Sequence, residues 1–197
     1  MTERYYKPCG EPKERKEQEI PVVRLRDMVE QDIEDYVRWF TVETEFNNWD
    51  APWEAIETTE EAEREGWTEY YQSVRELPEE VGRWKFEIEA EGRHIGWVCS
   101  YKDLEYLENE DGILALGIDI PCSDARGKGY GSKALILFMD YLAQHGHRSF
   151  YIQTWSGNTP MLRVAKKLGF KEAFRLKDHR VVEGKSYDAL TLRFDGK

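Results

Sequence analysis

The sequence contains few cysteines and no long apolar run. Cys9, Cys99 and Cys122 are odd in number, widely spaced and without a metal-ligand pattern around them, which disfavours a disulfide scaffold or a metal site. No stretch approaches the roughly 20 apolar residues that cross a membrane, and the amino-terminal segment lacks the apolar core of a secretory signal. These absences predict a reduced, cytoplasmic protein that does not interact with a membrane.

The chain also has no excess of positive charge. It carries 39 Asp and Glu against 28 Lys and Arg, a formal net charge of −11. A nucleic-acid partner is disfavoured, because phosphate binding requires a basic surface. The acidic excess has two interpretations: it steers a cationic substrate, or it is solubilising surface, as in the runs at 57–65 and 103–111.

Length and composition are those of one globular domain. The 197 residues, 40% hydrophobic and 13% aromatic, are enough to bury a core. Residues 1–20 are charged and poor in apolar groups, so we expect a loose arm followed by a single domain over 21–197. The sequence contains neither an internal repeat nor a low-complexity segment.

Hydrophobic periodicity predicts eleven elements in the order β-α-α-β-β-β-α-β-α-β-β. Strands are predicted at 22–26, in a hairpin over 83–101, and at 112–120, 148–155, 171–176 and 185–194. Helices are predicted at 31–40, 59–76, 129–145 and 159–170. Segment 41–55 contains aromatic residues without the spacing of a helix or a strand, so we expect a loop or a broken helix there.

The stretch from Arg126 to Gly131 places three glycines at alternate positions between a predicted strand and a predicted helix. Amides at a helix start have no intrahelical partner, and the helix dipole favours an anion there. Glycines let such amides curl round an oxyanion, and Arg126 and Lys128 add positive charge. The spacing matches neither the P-loop nor the dinucleotide-binding fingerprint. We expect a pyrophosphate site, with a purely structural turn as the alternative.

The run Arg126-Gly127-Lys128-Gly129-Tyr130-Gly131 resembles the Q/R-x-x-G-x-G/A motif of the GNAT superfamily of N-acetyltransferases. Residues 153–170 are similar to the superfamily's second cofactor segment, most of all in the RimJ/RimL-type branch. The resemblance extends over roughly residues 20–195. It implies an α/β (α+β) GNAT fold, in which a mixed central sheet is splayed between two parallel strands with helices on both faces, and acetyl-CoA as co-substrate.

The resemblance also implies which residues contact acetyl-CoA. The pantetheine arm would lie between strands 113–120 and 148–154, which we expect to part at Pro121, because proline cannot donate to a ladder. Cofactor contacts are implied for Ile118, Asp119, Ile120, Arg126, Gly127, Lys128, Gly129, Tyr130, Gly131 and Asn158. Asn158 is equally suited to cap the helix that follows it.

The implied reaction is direct acetyl transfer to a primary amine in a ternary complex. Many members carry a Tyr seven residues after the Asn as the acid for the thiolate, but this chain has Ala165 there, so Ser156 or water is the candidate acid. Asp119 is the predicted base, unless it is a solvated strand residue paired to a cation. Glu43 and Glu45 are the alternative bases, and the candidates for the substrate pocket are Glu43, Glu45, Trp49, Trp53 and Trp155.

No motif identifies the acceptor. A protein N-terminus is suggested by the branch, whereas a polyamine or an aminoglycoside fits the acidic charge, and either a monomer or a homodimer is compatible with the sequence. The missing Tyr at Ala165 leaves a non-catalytic acyl-CoA-binding module as the alternative. The four histidines, His94, His145, His147 and His179, lie in predicted turns or element ends, so most of them are expected at the surface.

Overall fold

The structure is a computed structural model that describes residues 22–78, 80–104 and 113–194. The predicted arm at 1–20 and most of the acidic run at 103–111 lie outside these residues. Within them, one seven-stranded mixed sheet packs against four α-helices, and none of these helices has the length and apolar character needed to cross a membrane.

The structure contains the eleven predicted elements in the predicted order. The strands are β1 (Val23–Arg26), β2 (Lys85–Ala90), β3 (Arg93–Tyr101), β4 (Ile113–Asp119), β5 (Ser149–Trp155), β6 (Phe170–Val182) and β7 (Lys185–Phe194), arranged β1-β2-β3-β4-β5-β7-β6. The helices are α1 (Asp32–Thr41), α2 (Glu60–Val74), α3 (Tyr130–Gln144) and α4 (Thr159–Leu168). Neighbouring strands are antiparallel except β4 and β5, which are parallel.

Local sequence explains where the last helix begins and ends. Asn158 precedes α4, and its side-chain oxygen accepts the Met161 amide at 3.0 Å, which confirms the predicted cap. Pro160 occupies the first turn, where its missing N–H costs nothing. Gly169 adopts a φ of 91° and stops the helix. Helix α4 is thereby fixed beside the carboxyl end of β5.

The core divides into two layers on opposite faces of the sheet. On one face, α3 buries its stripe of Leu135, Phe138 and Leu142. On the other face, α1 and α2 pack around Trp97 of β3, whereas its neighbour Val98 points into the first layer. This alternation is the period of a strand. The predicted fold, with helices on both faces, is therefore confirmed.

A network of buried charges connects α1 to β2 and β3. Glu87 is only 1% exposed and accepts from Tyr36 Oη at 2.6 Å, Lys85 Nζ at 2.5 Å and His94 Nε2 at 3.0 Å. His94 is therefore not one of the expected surface histidines. Its Nδ1 lies 2.9 Å from Asp35. Burial opposes the charge on His94, but the two carboxylates outweigh it and raise its pKa.

Three members of this network have the spacing of a metal site. The ligand atoms of Asp32, Asp35 and His94 lie within 4.8 Å of one another. However, Arg26 donates to both oxygens of Asp32, at 2.6 and 2.8 Å. The carboxylate that a metal would need is thus already neutralised by a guanidinium, and we interpret the group as an ion-pair network.

Candidate active site

Strands β4 and β5 pair over three residues and then separate. The paired residues run from Ile113 to Ala115 on β4. Beyond them β4 stays paired with β3 as far as Asp119, and β5 stays paired with β7 as far as Trp155. The expectation that the strands part at Pro121 was therefore wrong: they part six residues earlier, because each follows its antiparallel neighbour. The gap opens into a cavity of about 970 Å³.

The glycine turn forms one end of this cavity. Gly127 and Gly129 have φ values of 76° and 89°, which only glycine adopts readily. A Cβ at either position would find no other atom within 4 Å beyond its chain neighbours, so the turn has an open surface. The first bond of α3 runs from the Lys133 amide to Gly129, which leaves the preceding amides without a helical partner. The turn is suited to bind an anionic group.

The two cations of the turn differ in their positions. Arg126 donates to the carbonyls of Ile120 and Pro121, both at 2.8 Å, and to Glu45 at 3.2 Å. Its guanidinium thus ties the end of β4 to the loop after α1. Lys128 is exposed and is not among the described residues that line the cavity.

Asp119, the predicted base, lies at the open end of β4 and lines the cavity. Desolvation raises its pKa to about 8, with a further contribution from the negative charge of Asp50 and an opposing one from Arg126. Asp50 lines the same cavity from the loop after α1, and desolvation also raises its pKa. No described side chain hydrogen-bonds the half-buried Asp119 carboxylate, so the described residues supply no bonded cation of the kind that the alternative interpretation expects.

Three tryptophans form an aromatic wall, which we define as Trp49, Trp53 and Trp155. All three line the cavity. Trp53 packs edge-to-face on Trp155, with ring centroids 5.9 Å apart, and Trp155 Nε1 donates to the Trp49 carbonyl at 2.8 Å. The Arg180 guanidinium lies 4.8 Å from the Trp53 ring centre. The loop after α1 is thereby packed against β5 and β6.

The structure does not bring every predicted residue to the cavity. Glu45 lines it, but Glu43 does not, because its carboxylate turns back to Arg38 at 3.2 Å. Ser156 is also absent from the lining among the described residues. Its Oγ faces β7 and accepts the Asp188 amide at 3.0 Å. The structure therefore places Glu43 and Ser156 outside the cavity lining, with Glu43 paired to Arg38 and Ser156 bonded to β7.

Several lining residues were not identified from the sequence. Asp50 lies between two tryptophans in a segment without periodicity, so no pattern marked it. Arg163 and Lys167 line the cavity from α4, and their spacing of four along a helix was a usable signal for one shared face. Cys99 also lines the cavity, but burial raises the pKa of its thiol to about 12, which disfavours a nucleophilic role.

Comparisons with known proteins identify the fold and the family. The model of an acetyltransferase (GNAT) domain matches residues 23–171. Similar solved structures include Mycobacterium smegmatis RimJ in complex with CoA-disulfide, with 19% identity over 87% of this chain and 81% of that chain and a TM-score of 0.66. Salmonella typhimurium yncA with its cofactor acetyl-CoA has 17% identity over 87% and 92% of the two chains, with a TM-score of 0.62.

A third similar structure is the ribosomal-protein-alanine N-acetyltransferase from Brucella melitensis. It has 18% identity over 87% of this chain and 98% of that chain, with a TM-score of 0.60. At such identities the structural likeness supports the fold and not the substrate. Among curated proteins, no sequence matches this chain.

Proposed function

This chain belongs to the acetyltransferase (GNAT) family, and from that premise we propose that it transfers an acetyl group from acetyl-CoA to a primary amine in a ternary complex. The observation that carries the proposal is the separation of β4 from β5, which opens a cavity with the glycine turn at one end and Asp119 beside the gap. Acetyl-CoA supplies a thioester that an amine can attack directly, so no covalent enzyme intermediate is needed.

The cofactor end of the cavity suits an anionic ligand. The open amides of Gly127, Gly129 and Gly131 would hold the pyrophosphate, helped by the dipole of α3, and Tyr130, which lies between Gly129 and Gly131, also lines the cavity. Main-chain groups of Ile118 and Ile120 flank the gap where a pantetheine arm would lie. Arg163 and Lys167 supply positive charge from α4.

The chemical step needs a base, a polarised carbonyl and an acid. Asp119 takes the amine proton, either directly or through water, and its raised pKa of about 8 suits a base that works near neutral pH. A free backbone amide of β4 polarises the thioester carbonyl. Since Ser156 Oγ accepts the Asp188 amide and Ser156 is not part of the described lining, we assign protonation of the departing thiolate to water.

The acceptor that fits the lining best is a cationic amine. Asp50, Asp103 and Asp119 line the cavity together with the aromatic wall, and carboxylates and indole faces both attract ammonium groups. A polyamine or an aminoglycoside has this character, and a protein N-terminus is the second candidate, favoured by the neighbours named RimJ and ribosomal-protein-alanine acetyltransferase. We place the chain in the RimJ/RimL-type branch and in the cytoplasm, as one acetyltransferase domain over 21–197.

The experiment that tests the function is an acceptor screen with labelled acetyl-CoA. We expect acetylation of at least one class among diamines, aminoglycosides and peptides with a free N-terminus. Calorimetry with CoA should accompany the screen. Binding of CoA without acetylation of any amine would favour the alternative, a non-catalytic acyl-CoA-binding module, and would contradict our proposal.

Replacing Gly131 by valine should weaken CoA binding by about 10- to 100-fold, because the branched side chain would stand where the pyrophosphate approaches the amides. The size of the effect is that of losing a hydrogen bond to a charged group. A Cβ at Gly131 would make ordinary contacts with Ile118 and Ile120, at 3.5 and 3.4 Å, so Gly131→Ala is a matched control with a much smaller effect. Gly129 is a less suitable position, because its φ of 89° would strain any side chain. Calorimetry on a folded Gly131→Val variant that bound CoA normally would refute the pyrophosphate site.

The preference for a cationic acceptor predicts a dependence on salt. With a diamine acceptor, kcat/KM should fall several-fold between about 0.05 and 0.5 M salt, because screening shortens the range of the carboxylate field. Asp50→Asn should flatten this dependence, whereas Asp124→Asn, an exposed carboxylate paired with Arg93, should not. If kcat/KM did not depend on salt, steering of a cationic acceptor would be contradicted, and the acidic excess would be interpreted as solubilising surface.

A further inference from the structure

One backbone carbonyl fastens the loop after α1 to the two elements on the far side of the cavity. The Trp49 carbonyl accepts from Asn158 Nδ2 at 2.7 Å and from Trp155 Nε1 at 2.8 Å. The other end of the Asn158 amide is also used, since Oδ1 accepts from the Met161 amide at 3.0 Å. The Met161 N–H can donate only to the side-chain oxygen of Asn158, and the Trp49 carbonyl can accept only from its NH₂ group. These two partners together fix the orientation of the Asn158 side chain.

The fastened segment carries the acceptor side of the cavity. Asp50 follows Trp49 directly, and Trp53 packs on the Trp155 ring. Within the loop, the Asn47 side chain donates to the carbonyls of Ala51 at 3.3 Å and Glu54 at 2.8 Å. Two asparagines therefore hold this segment: Asn47 from inside the loop and Asn158 from the start of α4.

We propose that Asn158 is a positioning residue for the amine acceptor, which it serves by holding the Trp49 carbonyl and with it Asp50 and Trp53. The family resemblance implied a contact between Asn158 and the cofactor arm. In this chain its oxygen is committed to the helix cap and one amide hydrogen to Trp49. The inference rests on the proposed function only for its acceptor, because the loop contact itself is made between residues of this chain.

The test is one substitution made at both asparagines. In Asn158→Asp the carboxylate can still cap α4, but an oxygen then faces the Trp49 carbonyl and repels it. Asn47→Asp removes the two donations inside the loop and leaves α4 untouched. We expect each variant to raise KM for the amine by about tenfold, the equivalent of one hydrogen bond, with kcat less affected and with Kd for CoA changed by less than about twofold.

A readout that does not depend on activity separates this inference from the proposed function. Hydrogen exchange of the amides over residues 49–54 should become faster in both variants, because the segment loses an anchor. If no amine is acetylated by the wild type, the proposed function fails, and exchange and CoA binding still decide the role of Asn158. A rise of tenfold or more in Kd for CoA in Asn158→Asp alone, or unchanged exchange in that variant, would overturn the inference.

Discussion

Asp119→Asn is expected to lower kcat by about 10²- to 10⁴-fold, the usual loss when a general base is removed. Asparagine keeps the size of the side chain but cannot take the proton of the amine. Kd for acetyl-CoA should hardly change, because main-chain atoms are the expected cofactor contacts at this position. Steady-state kinetics and calorimetry measure the two quantities, and Asp124→Asn, an aspartate on the exposed surface, is the matched control.

The pH profile provides a second test of the same residue. Desolvation and the charge of Asp50 raise the pKa of Asp119 to about 8, and the base is active only when deprotonated, so kcat/KM should rise with pH through about 8. Asp50→Asn removes one of the two causes and should move the rise to lower pH. A near-wild-type kcat and an unshifted profile in Asp119→Asn would mean that the base lies elsewhere, with Glu45 as the next candidate.

Loss of activity in Asp119→Asn should not be accompanied by loss of stability. The pKa of Asp119 in the fold lies above its ordinary value near 3.8, so its contribution to stability is complete below that value and is lost as pH rises through about 8. Asparagine does not titrate, so the variant does not lose stability in this way as the pH rises. Thermal unfolding above pH 8 should therefore show Asp119→Asn at least as stable as the wild type, as expected for an active-site group.

The sequence was sufficient to predict the elements, because their signals are local. Apolar spacing gave the four helices, and the start and stop of α4 were readable from Asn158, Pro160 and Gly169. The glycine turn was equally readable, since φ values of 76° and 89° at Gly127 and Gly129 require glycine. A family resemblance then supplied the topology, which periodicity alone does not determine.

The side-chain partners of the site could not be predicted, because they depend on tertiary contacts. Asn158 finds its acceptor at Trp49, 109 positions away. Ser156 and Glu43 had suitable chemistry, but packing turned Ser156 toward β7 and Glu43 toward Arg38. The position at which β4 and β5 separate likewise depends on their outer partners and not on Pro121.

Glu87 is the clearest example of a residue whose role depends on the fold. In the sequence it is one acid in an alternating strand, yet register with β3 brings His94 to its carboxylate and the packing of α1 brings Tyr36, beside Lys85 of its own strand. Burial opposes its charge, but His94 and Lys85 outweigh that effect and lower its pKa. The Lys85 ammonium also lies 4.6 Å from the Tyr36 ring centre, so it has little access to water.

Glu87→Gln should therefore destabilise the protein by about 3–5 kcal/mol, because it leaves the buried ammonium of Lys85 without its counter-charge. Glu172→Gln, which breaks an exposed pair with Arg175, should cost no more than about 1 kcal/mol. Denaturant unfolding of both variants measures the difference.

The pKa of His94 should also fall in Glu87→Gln, since a carboxylate that raises it is gone. In the wild type, the raised pKa of His94 gives stability that is complete below its unfolded value and lost as pH rises through the folded one, and this dependence should weaken in the variant. Equal losses in the two variants would show that water reaches Lys85 and that the network is not a buried one.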